Sequence, residues 1–69
     1  MTKKEINRIK VVLAENKIKN KWLAEKLRKN PSSISQWCTN DRQPSLETLY
    51  NISILLNVDI RELLVSTKK

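Results

Sequence analysis

Residues 20–39 read NKWLAEKLRKNPSSISQWCT. The stretch divides at Asn30-Pro31, a capping residue followed by proline at the first helical position. This predicts a helix over 31–39. Upstream, Leu23, Ala24 and Leu27 share one face of a helix expected over 20–28. On a wheel of about 100° per residue, Ile34, Trp37 and Cys38 cluster on one side of the second helix. Ser32, Gln36 and Thr39 lie opposite, with Ser35 on the flank. That outer face is short, uncharged and rich in hydrogen-bonding groups. A face selected for solubility alone more often carries Glu and Lys.

A turn of about three residues joins the two helices, and the small side chain of Ala24 permits a close crossing. Two short helices packed at a steep angle, the second polar outside, describe a helix-turn-helix. Outward from it, Thr2-Lys3-Lys4-Glu5 reads as a capping box opening a helix over 3–16. Ile6, Ile9 and Leu13 form its inner stripe, with Val12 at the margin. Residues 40–44 read as a loop. Ser45 caps a helix over 46–56 that turns Leu49, Ile52, Ser53 and Leu56 inward, and Asn57 closes it. Asp59-Ile60-Arg61-Glu62 is a second capping box and opens a helix over 60–65. No segment alternates as a strand does. The expected fold is all-α, a compact bundle of five short helices forming one domain over 1–69. Glycine is absent, so asparagine is expected wherever the backbone needs a positive φ.

Composition bounds the function. A chain of 69 residues buries only about 60% of the surface its unfolded form exposes, which leaves room for one modest core and no deep catalytic cleft. One cysteine and no histidine allow no internal disulfide and no Cys/His metal set. No cofactor is expected. No apolar run approaches the roughly 20 residues of a membrane span, and the N-terminus lacks the apolar middle of a signal peptide. These features point to the cytoplasm. No paired carboxylates and no Ser/His or Cys/His set suggest catalysis, so the protein is not expected to be an enzyme.

The net charge of +7 is unevenly placed: residues 1–29 hold ten Lys/Arg against three Asp/Glu, and residues 30–69 hold four of each. The excess is densest from Lys17 to Lys29. A basic half on a small domain suits an anionic partner, nucleic acid first and an acidic membrane surface second. A solvated lysine surface explains the same charge.

The chain resembles the phage-repressor or Cro-like (XRE-type) helix-turn-helix domains, which have the lambda-repressor-like fold. The resemblance rests on Leu23-Ala24-Glu25-Lys26-Leu27, Ser33-Ile34-Ser35-Gln36-Trp37, and Pro44-Ser45-Leu46-Glu47-Thr48-Leu49. Ile52, Leu56-Asn57-Val58-Asp59 and Glu62-Leu63-Leu64 complete it. Their order and spacing cover about residues 6–64. The resemblance implies a five-helix bundle that binds duplex DNA and regulates transcription, often as a dimer.

By the same resemblance, Asn20 falls where the family has a Gln that touches phosphate. Pro31, Ser32 and Gln36 fall where bases are read. Ser35, Thr39 and Asn40 lie near the backbone-contacting edge. Gln36 is the leading base reader, because its amide can pair bidentately with adenine. Ser32 and Ser35 suit several bases, and Pro31 offers no donor. Lys19, Lys21, Lys29 and Arg42 suit phosphates. Three departures stand out. Arg28 replaces a turn glycine, costing roughly 1 kcal/mol if φ is positive there. Asn40 replaces a loop glycine. Leu13 and Cys38 replace a buried Arg–Glu pair, both partners becoming apolar together.

Trp37 and Cys38 read as core residues. Trp22 lies off the apolar stripe and suits either packing against a neighbouring helix or contact with DNA or a partner. Ile54, Leu64 and Val65 face away from the expected core and suit either tail packing or a dimer seam. Two function classes follow. The first is a sequence-specific DNA-binding regulator, most simply a repressor, acting as a homodimer on a palindrome with no small-molecule effector evident. The second is an antitoxin-like or adaptor module that holds another protein through Trp22, Ile54, Leu64 and Val65.

Overall fold

The computed structural model describes residues 4–68. Four α-helices are present: α1 (Ile9–Glu15), α2 (Asn20–Leu27), α3 (Pro31–Cys38) and α4 (Leu46–Leu56). A 3-10 helix, Ile60–Leu63, follows. The all-α architecture matches the sequence reading, and α4 has the bounds expected for it.

Each element contributes one side chain sealed from solvent: Ile9, Leu23, Ile34, Ile52 and Leu63. Val12, Leu13, Ala24, Trp37, Leu49 and Leu56 complete the core. Truncating a sealed Ile or Leu to Ala costs about 2–5 kcal/mol, against about 5–15 kcal/mol for a whole domain. So small a core leaves none of the five dispensable.

Two ends differ from the sequence reading by more than one residue, for one reason. The first helix begins at Ile9 rather than at residue 3. Thr2 and Lys3 of the supposed capping box lie outside the described residues. Residues 6–8 instead run antiparallel to 63–65: Arg8 N–H donates to the Leu63 carbonyl (2.8 Å) and Val65 N–H to the Ile6 carbonyl (2.8 Å). Asn7 and Leu64 form the isolated bridge. The last element therefore stops at Leu63, and Leu64 is extended (φ −118°, ψ 146°). Ile6, expected on the inner stripe, is 47% exposed, and Val12, expected at its margin, is buried. Pairing between the termini has displaced helix at both.

The remaining caps are local and were legible. Ser45 Oγ accepts from Thr48 N–H (3.1 Å). Asp59 Oδ1 accepts from Arg61 N–H (2.8 Å), and Glu62 Oε2 accepts from Asp59 N–H (3.0 Å). At the other ends, all four α-helices close through a residue in the left-handed region: Lys17 (φ 56°), Arg28 (55°), Asn40 (62°) and Asn57 (54°). Each closure pairs the next residue's N–H with a carbonyl five back, as Lys29 does with Ala24 (2.9 Å) and Val58 with Ser53 (3.0 Å). This is the Schellman arrangement, usually completed by glycine. Here asparagine serves twice, as expected. Lys17 and Arg28 serve without that help, so the expectation that asparagine alone would do so is corrected.

Candidate nucleic-acid interface

The candidate reading face is α3. Asn30 Oδ1 accepts from Ser32 N–H and from Ser32 Oγ–H, both at 2.9 Å, and Pro31 occupies the first turn. The helix is therefore fixed at its start by its own sequence. Ile34 and Trp37 anchor it in the core, and Cys38 is half-buried against them. Pro31, Ser32, Ser35, Gln36 and Thr39 are exposed. Gln36 makes no side-chain hydrogen bond among the described residues, so its whole amide is available. The Ser32 hydroxyl proton is committed to Asn30, leaving its oxygen as an acceptor.

The C-terminal end of α3 is held by a polar knot that the sequence did not announce. Asn7 is buried (4% exposed). Its amide donates to the Trp37 carbonyl (2.9 Å) and to Gln43 Oε1 (2.7 Å), and its Oδ1 accepts from Ile9 N–H (3.0 Å). Asn40 Oδ1 accepts from the N–H groups of Ile6 (2.9 Å) and Asn7 (3.0 Å) and from Gln43 Nε2 (3.0 Å). Its Nδ2 donates to the Asn7 carbonyl (3.3 Å). The side chain expected at a phosphate is thus spent inside the fold. The Thr39 hydroxyl likewise lies 2.8 Å from Asp41 Oδ2 and 3.2 Å from the Ser35 and Gln36 carbonyls. Asn7 and Gln43 are the positioning residues that sequence reasoning missed. The available signal was an asparagine two residues before an apolar helix face, the spacing of a side-chain turn.

The basic residues lie on α2 and on the loops before and after α2 and α3. α2 begins at Asn20, with Lys19 before it. Among the described residues no side chain caps its first N–H groups, as a helix start that meets an anion requires. Asn20 Oδ1 instead lies 3.7 Å from Cys38 Sγ, a weak link from the start of α2 to the end of α3. Burial pushes the Cys38 thiol up, offset in part by the Lys10 ammonium, so it stays protonated near neutrality. Leu13 and Cys38 line one groove with Lys10, Ala14, Ile18, Asn20, Ser35 and Thr39. The two positions read as an apolar replacement for an ion pair do share a site.

Lys19, Lys21, Lys29 and Arg42 are all exposed. Lys17, Lys19 and Lys21 border a groove of about 460 Å³ with Ile18, Trp22 and Glu25. Trp22 is exposed, with the Lys26 ammonium 5.7 Å from its ring centroid. Ile54 lines a separate groove with Leu27 and Tyr50. Leu64 and Val65 line a third with Arg8 and Arg61. Leu64 also packs against the core. The four residues considered as a partner surface therefore do not share one groove.

No helix of the described residues is long and apolar enough to cross a membrane. The helix-turn-helix family profile matches residues 9–63. The crystal structure of a candidate DNA-binding protein from Bacteroides fragilis is 53% identical, with a TM-score of 0.86 over 87% of this chain and 97% of that one. No curated protein matches the chain.

Proposed function

We propose that this chain, which belongs to the XRE-type helix-turn-helix family, is a sequence-specific duplex-DNA-binding regulator of transcription that acts as a homodimeric repressor. The observation that carries the reading is the outer face of α3: uncharged, exposed, and rich in donors and acceptors. In the proposed complex α3 enters the major groove. Gln36 and Ser32 read base edges, and Ser35 and Pro31 lie against them. Gln36 suits adenine, at about 1–3 kcal/mol of discrimination.

Lys19, Lys21, Lys29 and Arg42 neutralise phosphates, and the start of α2 at Asn20 receives one. Thr39 and Asn40 contribute through the main chain and through the knot that holds α3, since their side chains are engaged within the fold. Repression requires only occupancy: a domain seated in the major groove at a promoter excludes the polymerase. A homodimer on a palindrome places half-sites about 10–10.5 bp apart, or a multiple of that.

Selection of random duplex DNA on the purified protein at two salt concentrations tests the reading. A palindromic motif that persists at the higher salt is expected. Random sequences lost as salt rises would reduce the activity to a lysine surface. The adaptor reading is supported less, because Trp22, Ile54 and the Leu64–Val65 pair line three different grooves.

A further inference from the structure

Helix α4 carries an apolar stripe that the core does not use. Leu46 is 75% exposed, Tyr50 57% and Ile54 63%. They stand four residues apart, so they lie one above another on a single helical face. Leu55 widens the stripe, and Lys26, Leu27, Tyr50, Asn51, Ile54 and Leu55 line an open groove of about 450 Å³ beside it. Isolated exposed apolar residues are ordinary, but a contiguous row of three large ones on one helix marks a contact surface.

We infer that this stripe seats a second copy of the chain, α4 packing antiparallel against α4 of its twin across a two-fold axis at Tyr50. This names the interface of the homodimer proposed above and takes only the dimer's role from that reading. Three observations select the occupant.

The first is charge. The whole excess of positive charge lies in residues 1–29, and the only charged side chain on α4 is Glu47. A second copy brings the same lysines. Self-association through the Trp22 groove would set Lys17, Lys19 and Lys21 of one copy against those of the other, whereas α4 faces its twin without that repulsion.

The second is self-complementarity. A two-fold interface uses one patch twice. With Tyr50 on the axis, Leu46 of one copy meets Ile54 of the other, and the reverse. Glu47 then comes level with the Ile54 end of the opposite stripe, where Lys26 borders the groove. This gives two symmetric pairs of opposite charge. Ridges of i, i+4 spacing packed into each other cross at about −50°.

The third is access. α4 packs on α2 and on the 3-10 helix, so an α4 interface leaves the outer face of α3 open in both copies.

Sedimentation equilibrium of the purified chain without DNA tests the inference. The wild type is expected to associate as a dimer. Tyr50→Glu and Ile54→Glu are expected to weaken association by about tenfold or more, as charge placed at an interface centre does, with an unchanged far-UV spectrum. Trp22→Glu is expected to remain dimeric. The charge pair supplies an independent arm: Lys26→Glu and Glu47→Lys each weaken the dimer, and the double variant restores it. A wild type that stays monomeric at high concentration, or a dimer indifferent to the α4 substitutions but broken at Trp22, overturns the assignment. A chain that dimerises through α4 yet selects no DNA sequence leaves the interface standing and removes the proposed function.

Discussion

Asn7 and Trp37 lie 30 residues apart, and the Asn7 amide donates to the Trp37 carbonyl at 2.9 Å inside the protein. The other amide proton goes to Gln43 Oε1 and the amide oxygen to Ile9 N–H. One buried side chain thus starts α1, holds the loop after α3 and fixes the last turn of the candidate reading helix. A position in α3 is set as much from residue 7 as from Asn30.

Removing that amide should be costly. Asn7→Ala leaves the buried Ile9 N–H without its partner and takes one donor from the Trp37 carbonyl, and unsatisfied buried groups cost about 1–3 kcal/mol each. A loss of about 2–3 kcal/mol is expected. At about 4–8 °C per kcal/mol for a domain of this size, the thermal midpoint should fall by at least about 8 °C. Asn7→Asp should fall further, because it removes both donors and buries a charge. Thermal unfolding followed by circular dichroism decides it, and a midpoint unchanged within about 2 °C would refute the role.

The left-handed helix ends give a graded prediction. Lys17→Gly and Arg28→Gly relieve a non-glycine residue of a positive φ, worth about 1 kcal/mol each. Each should raise the midpoint by about 4–8 °C. Asn57→Gly should gain less, since asparagine tolerates this region. Asn40→Gly should lose stability despite the easier backbone, because it deletes the side chain that links Ile6, Asn7 and Gln43. Four substitutions with one backbone geometry should therefore split by sign, and the same unfolding experiment reads all four.

What was legible in the sequence follows the range of the interactions. α4 was read to the residue, because Ser45 and Asn57 act within a turn of it. The start of α3 was fixed by Asn30 and Pro31, and its exposed face by the periodicity of Ile34 and Trp37. The first helix start and the last element were misjudged, because residues 6–8 pair with 63–65 from the far end of the chain, and no local pattern encodes that. The same holds for the candidate site. Gln36 and Ser32 emerged from the helical wheel. The inward turn of Asn40 depends on Asn7, which local reading places inside a helix. Lys17 and Arg28 hide their geometry, because side chains that do not favour a positive φ occupy it.

Acid should weaken the last turn. The Arg61 side chain hydrogen-bonds the Asp59 carboxylate (3.1 and 3.2 Å), and together with the Arg61 N–H it holds that carboxyl below its ordinary value of 3.8. A depressed carboxyl favours the fold above the ordinary carboxylate range. That contribution is lost as pH falls through the lowered value. Urea unfolding should therefore be insensitive to this pair at neutral pH and show a loss below about pH 4. Asp59→Asn should flatten the acid-side slope. The pair is open to solvent, so the effect is small, and added salt should shrink it. An acid slope identical in Asp59→Asn and the wild type would assign the loss to other carboxylates.

Base reading and phosphate neutralisation leave different signatures, and Gln36 and Lys21 separate them. Both side chains are exposed, and neither takes part in the hydrogen-bond network described, so Gln36→Ala and Lys21→Ala should unfold like the wild type, within about 0.5 kcal/mol. On the duplex recovered by selection, Gln36→Ala should lose about 1–3 kcal/mol, and base preference should relax at a single position of each half-site. Its affinity should keep the wild-type dependence on salt. Lys21→Ala should weaken binding to every sequence alike and lower the salt slope by about one. Fluorescence anisotropy on the selected duplex and on single-base variants, across a salt series, measures both quantities at once. If Gln36→Ala weakens all sequences equally, α3 is gripping the duplex without reading it at that residue. If Lys21→Ala leaves the slope unchanged, the phosphate contacts lie elsewhere in the basic half of the chain.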